Sequence, residues 1–126
     1  VQLTVVDDII AGLKEGLGDA WNSSIILTLT EFGRTVEVNG SEGTEHGYGT
    51  AGLLAGGAIT KSRVISKWPG LSKHEQFEKR DLMSTIDYRS VCAACIEKTL
   101  DLDHDLIADK VFFTPKLPRV YDYIFS

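Results

Sequence analysis

An α/β layer, an open and mostly parallel sheet flanked by helices, is the fold class that this 126-residue chain predicts. Three observations predict it. A helical repeat of apolar residues opens the chain, two continuously apolar runs follow, and a second helical pattern begins at a residue suited to capping. Runs that are apolar at every position, rather than at alternate ones, suit strands buried on both faces of a parallel sheet. Length and average composition fit one domain over residues 1–126, either a single α/β domain or the C-terminal fragment of a larger one.

Leu3, Val6, Ile10, Leu13 and Leu17 recur at alternating spacings of three and four, which predicts a helix over residues 3–17. No cap precedes it, so the chain reads as the C-terminal piece of a longer protein, with further site residues upstream. Gly16-Leu17-Gly18 should end the helix, because glycine readily takes the left-handed turn that terminates one. Ile25–Leu29 is the first buried strand and Ala51–Ala55, closed by Gly56-Gly57, its neighbour in the sheet. Arg63–Ser66 reads as a short third strand, and Trp68-Pro69-Gly70 forces a turn.

The stretch Leu71–Lys79 is polar and connecting, with His74 a solvated side chain. Leu82–Thr85 reads as another short strand. Asp87 is suited to N-cap a helix running to Leu100, which with the first helix would cover the two central strands. Asp101, Asp103, His104 and Asp105 form D-L-D-H-D, but the glycine and closing glutamate of a calcium loop are missing. A helix end followed by a new N-cap explains the cluster. The tail 111–125 carries Phe112, Phe113, Tyr121, Tyr123 and Phe125, which suit covering a core or forming an interface.

Cys92 and Cys95 make a C-x-x-C that shares one helical face with Tyr88, Val91 and Thr99. They read as small buried hydrophobes: a redox pair would sit at the helix N-terminus, and zinc would need two further soft ligands. A net charge of -5 and a pI near 5.1 argue against a nucleic-acid partner, and no basic stripe is present. No window is long and apolar enough for a membrane span.

The segment Glu31–Thr50 is the chemically richest. It holds five glycines (Gly33, Gly40, Gly43, Gly47 and Gly49) and carries Glu31 and Arg34 near one end, Glu45 and His46 near the other. Carboxylates, an imidazole and a guanidinium on one glycine-rich loop at a strand end suggest a site for a metal ion or an anion.

The order Thr30-Glu31-Phe32-Gly33-Arg34, Gly43-Thr44-Glu45-His46-Gly47, Leu53-Leu54-Ala55-Gly56-Gly57, Trp68-Pro69-Gly70-Leu71 and Asp87-Tyr88-Arg89 resembles the C-terminal third of a bacterial sulfatase-like family of unknown function, domain of unknown function 1501. The resemblance covers residues 18–102. It implies the C-terminal portion of an alkaline-phosphatase-like fold, in a superfamily where metal ions activate a nucleophile and stabilise charge on a transferred phosphoryl or sulfuryl group. It further implies a divalent metal (zinc, calcium, magnesium or manganese) with Glu31, His46 and Glu45 at or near it, and Arg34 facing an anionic ester substrate.

Phe32 departs from the pattern, since relatives with metal sites place histidine or asparagine there. Twin-arginine export, hence a periplasmic or otherwise exported parent protein, is also implied. Two functions follow as expectations: a fragment of a metal-dependent hydrolase, inactive alone, or an exported binding or structural module that has lost catalysis. Self-association of the chain through uncovered apolar surface is expected in either case.

Overall fold

The computed structural model describes residues 2–126. Helix α1 (Gln2–Leu17) runs into a 3-10 turn (Gly18–Ser23), where Gly18 takes φ 53° as the expected terminator. Four two-residue strands follow: β1 (Ile26–Leu27), β2 (Gly33–Arg34), β3 (His46–Gly47) and β4 (Leu54–Ala55). Helices α2 (Tyr88–Leu100), α3 (His104–Lys110) and α4 (Tyr121–Phe125) complete the chain.

The strands overturn the predicted sheet. β1 pairs only with β4 and β2 only with β3, both antiparallel, so the described residues contain two small ribbons and no open, mostly parallel sheet. The alkaline-phosphatase-like α/β layer that the resemblance implied is likewise not what these residues form. The two apolar runs are indeed neighbours, with Ile26 opposite Ala55 and Leu27 opposite Leu54. Their direction is antiparallel, and neither run is buried on two faces: Leu29 is 54% and Leu53 49% exposed.

The third strand at Arg63–Ser66 and the fourth at Leu82–Thr85 do not form. Leu82 nonetheless bonds to the β2–β3 ribbon and the residue just beyond it: its N–H donates to the Arg34 carbonyl at 3.0 Å, and its own carbonyl accepts from Gly49 N–H at 2.7 Å.

Helix rules read α2 and the acidic cluster after it correctly, whereas α4 lies in the tail read only as aromatic. Asp87 caps α2, its carboxylate accepting from the Arg89 N–H at 2.9 Å, and Asp101 closes the helix in the left-handed region at φ 52°. Asp103 then caps α3 by accepting from the N–H groups of Asp105 and Leu106, so D-L-D-H-D is a helix end and a new cap.

The core lies among α2, α3 and the segment leading to α4. Ala93, Ile107, Ala108 and Leu117 form a buried cluster, with Ile96 and Phe112 against it. Alanines on α2 let α3 approach closely, and α4 packs on α2 through the buried Ile124. Cys92 and Cys95 are unpaired and half-buried, and burial pushes the Cys95 thiol up to about 11, which suits packing groups rather than nucleophiles. Among the described residues no helix is long and apolar enough to cross a membrane.

Candidate functional site

The long glycine-rich segment is a hairpin. β2 and β3 set Gly33 opposite Gly47 and Arg34 opposite His46, bringing the segment's two chemically interesting ends side by side. Glycine is required at this crossing. A Cβ on Gly47 would lie 2.5 Å from the Arg34 carbonyl carbon and 2.6 Å from its oxygen, and one on Gly33 would overlap the Tyr48 carbonyl. The Thr35 N–H donates to the Glu45 carbonyl at 3.1 Å, and the Glu45 N–H to the Thr35 hydroxyl at 3.0 Å, extending the pairing by one residue.

At the hairpin's far end the Asn39 side-chain oxygen accepts from the N–H groups of Ser41 (2.9 Å) and Gly43 (3.0 Å). That local turn holds Glu42 at φ 61°. The Asn39 amide donates to the Glu45 carboxylate at 2.5 Å. On the other strand the Arg34 guanidinium donates through Nε to the Thr44 hydroxyl at 2.7 Å and through one terminal amino group to the Thr44 carbonyl. Two of the four sequence-predicted groups, Arg34 and Glu45, therefore spend hydrogen-bonding capacity on shaping the hairpin.

The other two do not. Glu31 and His46 are exposed, and their side chains make no hydrogen bond with another described residue. Phe32 stacks on His46 with ring centroids 4.2 Å apart and planes 6° from parallel. A phenyl ring cannot ligate, but stacking covers one face of the imidazole and leaves its edge nitrogens free. Among the described residues no three His, Cys, Asp or Glu side chains converge as metal ligands would. The hairpin alone therefore does not fit a closed metal site, which needs about four ligands.

A second polar cluster escaped the sequence reading. Arg119 donates through Nε to the Glu97 carboxylate at 3.1 and 3.2 Å and through a terminal amino group to the same carboxylate, while its other amino group reaches Asp122 at 2.8 Å. Beside them His104 is 8% exposed. Its Nε2 lies 2.9 Å from the Leu117 carbonyl, which can only accept, so Nε2 carries the hydrogen. Its Nδ1 has no hydrogen-bond partner and faces Glu97 at 4.0 Å. The available signal was His104 at i, i+3 and i+4 with Ile107 and Ala108, which puts it on the core face of α3.

A family model matches residues 1–94, which is 94 of the 126 residues, and the chain belongs to that family, described as Protein of unknown function (DUF1501). The description carries no activity. The match takes in α1, both ribbons and the first half of α2, and the Glu97–Arg119–Asp122 cluster lies beyond it. No curated protein and no solved structure matches the chain.

Proposed function

We propose that this chain supplies one wall of a metal-dependent hydrolase of phosphate or sulfate esters, acting outside the cytoplasm, and does not turn over substrate by itself. The relation of the family to sulfatases and alkaline phosphatases is part of this proposal. One observation carries it: the hairpin consumes Arg34 and Glu45 in its own hydrogen bonds yet presents Glu31 and His46 uncommitted, with His46 braced by Phe32. Side chains held in place without a partner suit ligation by something outside the hairpin. Glu31 and His46 are the metal-facing residues in this reading. Glu45 supports the turn, and the amino group of Arg34 not bonded to Thr44 meets the anionic ester. The remaining ligands and the nucleophile come from outside these residues.

A binding or structural module without catalysis is the second reading, favoured by phenylalanine at position 32. Metal titration and turnover decide between them. The chain alone should show no hydrolysis of an aryl phosphate or aryl sulfate with zinc, magnesium, manganese or calcium, and only weak zinc binding at His46, in about the millimolar range expected of two ligands. In the parent protein Glu31→Ala and His46→Ala should each lower metal content and activity together. Unchanged metal content in both variants would leave the non-catalytic module standing, and turnover by the chain alone, lost in Glu31→Ala, would overturn the claim that it is incomplete.

A further inference from the structure

Helix α1 leaves its apolar stripe incompletely covered, Leu3, Leu13 and Leu17 being exposed and Val6 and Ile10 half-buried. No residue from Leu3 to Leu17 is buried, with Leu3 79% and Ile9 56% exposed, and its main packing is against the 3-10 turn that continues it. The stripe runs Leu3, Val6, Ile10, Leu13, Leu17 in strict steps of three and four. That averages about 3.5 residues, the repeat with which two helices keep a single seam in contact. In such a seam these five residues occupy the inward positions. Asp7 and Lys14 then flank it on one side, Ile9 and Gly16 on the other.

Charge and size choose one alignment. Laid antiparallel on a second copy with Ile10 opposite the partner's Leu13, the seam sets Val6 against the partner's Leu17, and the two-fold axis repeats both contacts. Asp7 then meets the partner's Lys14 twice over. Ile9 meets the partner's Gly16 twice, and around Gly16 nothing lies within 4 Å of where a Cβ would stand. Sliding by one repeat sets Asp7 against the partner's Asp7, and since either register leaves one leucine unmatched, Leu3 or Leu17, the charges decide. A parallel pair sets Lys14 against the partner's Ile9 and gains no attraction.

We propose that α1 is a self-pairing helix that joins two copies of this chain as an antiparallel two-fold dimer. The seam is short, so association should be weak, with a Kd of about 10–100 μM. Sedimentation of the whole chain from about 5 to about 500 μM tests it. The native chain should pass from monomer to dimer, and Asp7→Lys or Lys14→Asp alone should weaken dimerisation about tenfold, since each replaces two attractive contacts by two repulsive ones. The double exchange Asp7→Lys with Lys14→Asp should return the affinity to within about threefold of native, because the pairs re-form with signs swapped. Helix content by circular dichroism should be alike in all four proteins. A monomer throughout the range overturns the proposal, as does a dimer whose affinity ignores the single exchanges or is not restored by the double one.

Discussion

Arg119 and Glu97, twenty-two residues apart in the chain, meet side by side, so that the approach to α4 is tied to α2 by a guanidinium donating to both oxygens of one carboxylate. Glu97 is largely shielded and Arg119 only half so, which makes the pair sensitive to losing either member. Removing the guanidinium leaves a shielded carboxylate facing the unpartnered Nδ1 of His104. Arg119→Ala should cost about 1–2 kcal/mol, between exposed and buried ion pairs. Urea unfolding of the native, Arg119→Ala, Glu97→Gln and doubly substituted chains measures the coupling. Independent effects would show that the contact contributes nothing of its own.

Capping gives a pH signature. The hydrogen bond from the Arg89 side chain, followed by that from its backbone, holds the Asp87 carboxyl below the ordinary carboxylate range against the opposing effect of burial. A depressed folded value means that the contribution is present above the unfolded value, 3.8, and is lost as pH falls through the folded one. Asp87→Ala should cost about 1 kcal/mol near neutrality. Asp87→Asn, which keeps an accepting oxygen without the charge, should flatten the acid side of the stability profile below about pH 4. Identical acid limbs for Asn and Asp would contradict this.

Two glycine substitutions should move stability in opposite directions. Gly47→Ala forces a methyl into the Arg34 carbonyl and should open the β2–β3 ribbon at a cost of about 2 kcal/mol or more. Faster hydrogen exchange at the Thr35 amide would report it. Gly12→Ala, in mid-helix with open space around it, should stabilise α1 by about 0.5–1 kcal/mol. Thermal melts of the two variants that shift in the same direction would refute the contrast.

Alkylation separates packing thiols from reactive ones. With burial raising Cys92 and lifting Cys95 to about 11, iodoacetamide at pH 8 should label both more slowly than a free cysteine peptide. The raised value also sets a sign: neutral Cys95 favours the fold below the unfolded thiol value, 9.0, and that contribution is lost as pH rises towards about 11. Labelling of Cys95 at the peptide rate, or stability independent of pH in that window, would show a solvated thiol.

Helices were legible because their signals are local. The three-and-four spacing located α1, Gly18 ended it, Asp87 and Asp103 capped α2 and α3, and each device acts within a few residues of itself. The sheet was misread because the continuous apolarity of Ile25–Leu29 says that a run can be buried, while direction and covering depend on chain folded back from far away. That chain supplied a short antiparallel partner at Leu54–Ala55, and Leu29 and Leu53 stay half in water.

The hairpin site was partly legible. Residue types placed Glu31, Arg34, Glu45 and His46 on one loop, but only the Gly33–Gly47 crossing shows that Arg34 and His46 face each other and that Arg34 and Glu45 are already engaged. The Glu97–Arg119–Asp122 cluster was invisible because its members are joined by the packing of α4 on α2, which no short-range pattern encodes.

Every buried hydrophobic residue among those described falls between Ala93 and Ile124. The thermodynamic weight of the molecule thus sits in its last third, whereas the ribbon that carries the candidate site is held mainly by backbone bonds near water. Such a chain melts in tiers. The helical end can persist as a cooperative unit while the hairpin opens and closes beside it, so that whatever engages Glu31 and His46 would draw its binding energy partly against the cost of keeping that hairpin shut.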